Sequence, residues 1–342
     1  MIRNRKNWID IYRGSAMLLV ILQHTGLAYA GRFIMGFHMP LFFVLSGYLH
    51  KLTNQKEKDN KTFLIHQVNR LLVPYVFYLV VYWLIVYCII PCISGTFSSI
   101  GLLKKIAHDL LYLDKYWFIM SLFVVNIAFH YIHKVINASK YEITDKMIDI
   151  IVIVISIVIV CVTNGTNYPL LIGQNAMAFV FWGLGDLVSP IVDKYENYKA
   201  KAMLVTSAVG FVIMCIGVIL NFKYCNGANF NMWCNEYGNI EYALIGAVGG
   251  ILFWAGIVYF LKDIAIGKII MKWIGINSLV IYPLHLWGRD IGQLVIDMLC
   301  CDGLHWIALF AIKFFCAITV MVIGVSMVNR YCPLLAGRRK II

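Results

Sequence analysis

Apolar side chains occur along this chain in long continuous runs, not in the alternation of a β-strand. Each run comes close to the ~20 residues that a helix needs to cross a bilayer. The ~10-residue alternating segments of a membrane barrel are absent. The pattern predicts ten helices, over 13–30, 33–50, 72–93, 116–133, 147–163, 169–189, 203–221, 241–261, 273–299 and 306–328. The fold class is therefore all-α, a polytopic membrane helix bundle. The longest loops are short, so residues 1–342 read as one integral-membrane domain, with function confined to the spans and their connections.

Composition agrees with the pattern. Hydrophobic residues make up 61% and charged residues 13%, against about 25% charged in a typical soluble domain. The mean hydropathy is +0.78. An even number of spans places both termini on one side. Of 29 lysines and arginines, all but Arg32, Lys104, Lys105, Lys115, Lys223, Arg289 and Lys313 then share the side of the termini. Basic residues mark the cytoplasmic side, so both termini are expected in the cytoplasm of a cell whose plasma or inner membrane holds the chain. The net charge of +12 reflects this bias and attraction to anionic membrane lipids. The basic residues are scattered over short segments with no continuous stripe, which argues against nucleic acid as a partner.

The N-terminal basic residues, the first apolar run and Ala28-Tyr29-Ala30 imitate a cleavable secretory signal. Asp10 and Arg13 interrupt that pattern, and a second span follows at once, so an uncleaved helix is expected. Of the ten cysteines, Cys88, Cys92, Cys161, Cys215 and Cys316 fall in spans and read as small apolar residues. Cys225 and Cys234 share an outer loop, where a disulfide is open. No His/Cys spacing suggests a metal site. Residues 51–70 read as a polar, Lys-rich loop ending at Arg70, residues 94–115 as an amphipathic interfacial stretch, and the β-branched fifth span as lipid-facing scaffold. Gly183 and Gly185 in the sixth span, and the GAVGG of the eighth, predict close helix approach.

The candidate chemistry lies in the first, second and ninth spans. Two apolar runs, joined by a short turn at 28–32, carry Asp10, Arg13, His24 and His38. An ionisable side chain in an apolar span is by default a functional hypothesis. Arg13 and His24 are separated by about 16 Å along a helix. His285, in IGINSLVIYPLH, lies twelve residues beyond Trp273, about 18 Å deep and close to the depth of His24. Each histidine alone reads as a hydrogen-bonded structural residue. Three at comparable depth point to a shared polar cavity.

Five ordered segments carry a resemblance: IDIYRG…H, FHMPLFFVLSGYL, the RLLVPY approach to the third span, KYWFIMSLF, and IGINSLVIYPLH. With them the chain resembles, over essentially its full length, the acyltransferase family 3 membrane proteins, and within these the fucose 4-O-acetylase-like branch. The family hallmark, a basic residue, ten residues and then His, is matched by Arg13 and His24. The resemblance implies that acyl-CoA, most often acetyl-CoA, is the co-substrate, with no metal. The acyl group would pass from the cytoplasm to a hydroxyl of an envelope carbohydrate or lipid-linked glycan. Where some members carry a further Arg before the third span, this chain has Gln67, so only Arg70 matches.

Histidine suits the role of base because its ordinary pKa, ~6.5, lies near operating pH, and guanidinium forks suit CoA phosphates. Arg13 and Arg70 are accordingly expected at the phosphates, with Asp10 orienting Arg13. His24 is expected as general base or transient acyl carrier, with His38 and His285 orienting the acceptor or the catalytic ring. Ser46 and Tyr48, lower on the second helix, read first as packing residues and second as channel-lining candidates. An exporter of glycan or small acids, or a membrane ligand sensor, fits the same composition. An exporter built from inverted repeats shows paired Gly/Pro-broken spans, and no such pairing is found here.

Overall fold

The computed structural model describes residues 6–55, 58–138, 143–227, 229–300 and 303–337, apart from the side chains of residues 28 and 29. Arg3, Arg5, Lys56, Lys140, Arg338, Arg339 and Lys340, used above for orientation, lie outside the described residues. The described chain is helical, with one isolated bridge, Asn231 to Glu236, and no strand. Among the described residues eight helices are long and apolar enough to cross a membrane, and a ninth span is formed if one bent pair is counted as a unit. The polytopic all-α expectation holds, and the count falls below the predicted ten because the first helix, Asn7–His24, is not among the spans. Asp10 and Arg13 lie within it.

Several boundaries move for identifiable reasons. The first turn lies at Thr25–Leu27, not at 28–32, because Gly26 (φ +100) supplies a left-handed residue there. Helix Ala28–Met35 follows, then His38–Leu52. The Lys-rich loop is shorter than predicted. Asp59 caps a helix that starts at Asn60, its carboxylate accepting from the amides of Lys61 (3.1 Å) and Thr62 (3.3 Å). That helix runs on to Ile93 through π-helical stretches at Val68–Leu72 and Trp83–Ile89. The amphipathic stretch is helical over Ser99–Tyr112. Cys225 and Cys234 are both thiols, not a disulfide.

The chain divides into two compact units. The first comprises 1–45, 188–232 and 236–331, the second 46–187, 233–235 and 332–342.

In the first unit, helices Ala200–Tyr224 and Ile240–Leu261 approach closely through glycines. A Cβ on Gly217 would meet the backbone of Gly246, and one on Gly249 the backbone of Met214. Small residues at these positions permit that approach in a bilayer, where packing drives helix association. Gly250 similarly admits the Phe37 ring. Below them, Tyr195 donates to the Ala255 carbonyl at 2.6 Å, and burial pushes its hydroxyl above the ordinary phenol range, which keeps it a donor.

In the second unit, helix Asp145–Thr163 has an outward stripe that includes Ile150, Val154, Val158 and Val162. Its other face is not scaffold alone: Asp149 and Ser156 are buried on it.

Candidate functional site

The first helix positions three of the predicted residues. Asp10 is buried (1% exposed), and Arg13, one turn on, approaches it at 3.9 Å. Eleven residues are about three helical turns, so Arg13 and His24 project from nearly the same face of one unbroken helix. Reciprocal glycines fix this helix against its neighbour. A Cβ on Gly14 would strike the Met271 carbonyl, and one on Gly275 the Asp10 carbonyl. Ser15 donates to the Tyr12 carbonyl and accepts from the Trp254 indole at 3.0 Å.

The ninth predicted span is broken. Segments Gly267–Ile276 and Ser278–Met298 meet at 86°. Asn277 lies at the break, 3% exposed. Its amide donates to the Trp273 carbonyl (2.8 Å), and its oxygen accepts from Asn329 (3.1 Å). A side chain that captures its own helix's carbonyl competes with the helical ladder, and Pro283 removes a further donor soon after. The estimate of about 18 Å from Trp273 to His285 fails, because it assumed a straight helix. Only the eight residues from Asn277, about 12 Å, lie along the segment that carries His285.

The bend nevertheless brings His285 to His24. Their ring centroids are 5.1 Å apart. His285 is buried (1% exposed), and its ring nitrogens lie near the carbonyls of Ile281 and Tyr282 without reaching hydrogen-bond geometry. His38 is within electrostatic reach of both rings. Its Nδ1 lies 2.8 Å from the Ile34 carbonyl. A carbonyl only accepts, so Nδ1 carries the proton and Nε2 of the neutral ring keeps its lone pair. His24 is half-buried where His38 and His285 are buried, so it is the most accessible of the three. The cluster thus holds imidazole lone pairs and one ring open to an arriving hydroxyl.

Sequence reasoning missed Arg289. It follows His285 by one helical turn, acts electrostatically on both His24 and His285, and is clamped by Asp290 at 2.6 and 2.8 Å. Near the end of an apolar run it reads as an ordinary interfacial cation.

The second unit holds Arg70, within the π-helical stretch Val68–Leu72 beside buried Gln67 and Asn69. Ser46 and Tyr48 also lie there, and Tyr48 is a core residue, 1% exposed. A second polar cluster was also missed. The His133 ring lies 3.0 Å from Asp145 and 2.8 Å from Asp149, and Lys51 lies 3.3 Å from Asp186. His133, Asp149 and Asp186 each present a ligand-type atom, all within 4.8 Å of one another. A cation could bridge such a group, but Lys51 and the His133 ring already give these carboxylates positive or donor partners. The rule that flagged the three histidines would have found Asp149 and Asp186 had it been applied to lone acids.

No curated protein and no solved structure matches the chain. The family model described as an Acyltransferase domain matches residues 6–328, a span that includes both arginines, Asp10 and all three histidines. With nearly the whole chain covered, this membrane-helical protein belongs to acyltransferase family 3.

Proposed function

We propose that the protein is a membrane O-acyltransferase that moves an acyl group, acetyl by preference, from cytoplasmic acyl-CoA to a hydroxyl of an envelope sugar or lipid-linked glycan. The observation that carries this reading is the His24–His285 pair, 5.1 Å apart, with His24 on the helix that bears the Asp10–Arg13 ion pair about 16 Å away. A pantetheine arm can cover that length. Arg13 would hold CoA phosphate and Asp10 would orient it. Arg70, in the second unit, is proposed as a phosphate ligand on the family resemblance alone. In the reaction, His24 accepts the acceptor hydroxyl's proton as the oxygen attacks the thioester carbonyl. The tetrahedral intermediate collapses, the C–S bond breaks, and the CoA thiolate leaves and takes up a proton. His285 and His38 orient the base and the acceptor.

The bias of basic residues supports cytoplasmic termini in a plasma or inner membrane. Cytoplasmic termini require an even number of crossings: eight without the bent pair, or ten if the bent pair and the first helix both cross; nine would put the termini on opposite sides. A sugar hydroxyl is proposed as acceptor on the resemblance to the acyltransferase family 3 proteins alone. The test is acyl transfer to envelope glycan in cells making His24→Ala at normal abundance. Transfer is expected to be lost, and full transfer would remove His24 from the mechanism.

A further inference from the structure

Away from the histidines, the first unit has an open cleft, about 260 Å³ counting the solvent at its mouth, lined by Arg32, Asn221, Asn229, Phe230 and Tyr242 over the glycines Gly36, Gly217 and Gly246. Its floor has room for about one water-sized group. Arg32 sits on helix Ala28–Met35, which begins just after the turn that follows His24. Its guanidinium carbon lies 3.7 Å from the centre of the Phe222 ring. Stacking fixes the plane of the fork and leaves its edges for a ligand. Among the described residues no carboxylate lies within ion-pair distance of Arg32.

The other wall is anchored by hydrogen bonds of Asn221. Asn221 is 3% exposed, donates to the Tyr237 carbonyl and accepts from the Asn239 amide, both at 2.9 Å. This bonding ties the loop that follows to the helix end. That loop carries Asn229, whose buried Oδ1 meets no hydrogen-bond donor among the described residues. A buried acceptor left unmade is costly, so the cleft asks for two things at once: an anion for Arg32 and an O–H for Asn229.

We infer that this cleft binds an acidic sugar unit of the acceptor, its carboxylate on Arg32 and a ring hydroxyl donating to Asn229. The enclosed floor admits only a carboxylate-sized group, so the sugar ring itself sits at the open mouth of the cleft. A lipid headgroup such as phosphatidylglycerol offers the same anion to Arg32 and an O–H to Asn229, so the nanodisc arms below separate the two sources. The inference rests on the proposed glycan acceptor and deepens it.

The test is equilibrium binding of glucuronate and of glucose to the full-length protein in phosphatidylcholine nanodiscs. Glucuronate is expected to bind at least about tenfold more tightly than glucose. Arg32→Gln should erase that preference, Arg32→Lys should retain part of it, and Asn229→Ala should weaken glucuronate binding with the thermal midpoint unchanged. Equal binding of the two sugars, or an unchanged preference in Arg32→Gln, overturns the inference. Loss of glucuronate binding in discs containing phosphatidylglycerol assigns the site to lipid headgroups and overturns it as well. CoA release from acetyl-CoA, measured separately with envelope glycan, reports on the acyltransferase reading alone.

Discussion

The chemistry at the residue scale turns on which imidazole can meet a hydroxyl. His38 and His285 are buried, and His24 is the accessible member of the group. Removing a general base costs about 10²–10⁴-fold, so His24→Ala should lower acyl transfer by at least about 100-fold. His285→Gln should lower it less, because it loses an orienting ring and not the base. Arg13→Lys keeps the charge but loses the bidentate fork. The expected outcome is a KM for acetyl-CoA raised about tenfold with kcat little changed, measured on purified protein. Lone histidines in apolar runs were legible in the sequence because polar residues stand out there. Arg289 was not, since a cation at the end of a run also serves as an interfacial anchor.

At the element scale, apolar continuity predicted six spans to within a few residues, placed the starts of Asn60–Ile93 and Ser99–Asn137 too late because their opening turns carry polar and charged residues, and missed the break at Asn277. A hydrophobic run records which residues avoid water, and both arms of a bent helix do. The break depends on the Asn277 amide taking the Trp273 carbonyl, a contact that periodicity does not encode. Asn277→Leu should relax the 86° bend, separate His24 from His285 and reduce activity. Distances between spin labels on the two arms would show the change. Gly275→Leu would drive a side chain into the Asp10 carbonyl and should lower the thermal midpoint as well as activity.

The buried acid Asp186 (0% exposed) makes a different prediction in the second unit. Lys51→Met leaves that carboxylate without its cation, at a cost of about 3–5 kcal/mol for a fully buried pair. Lys51 is 38% exposed, so the loss should fall below that range. The double variant Lys51→Met/Asp186→Leu should recover much of it, as read from unfolding midpoints.

For the whole molecule, orientation and reaction direction are linked. A carboxy-terminal fluorescent-protein fusion should fluoresce in the cytoplasm, and an alkaline phosphatase fusion at the same place should be inactive. The reverse result would put Arg13 on the wrong side for cytoplasmic acyl-CoA. The family match over residues 6–328 makes acyl transfer the activity to measure. The most direct measurement mixes the purified full-length protein, in nanodiscs, with acetyl-CoA and envelope glycan, and follows free CoA thiol and glycan acetate together. Stoichiometric release of both, lost in His24→Ala, is the predicted result. No CoA release, or equal release by His24→Ala, would contradict the account.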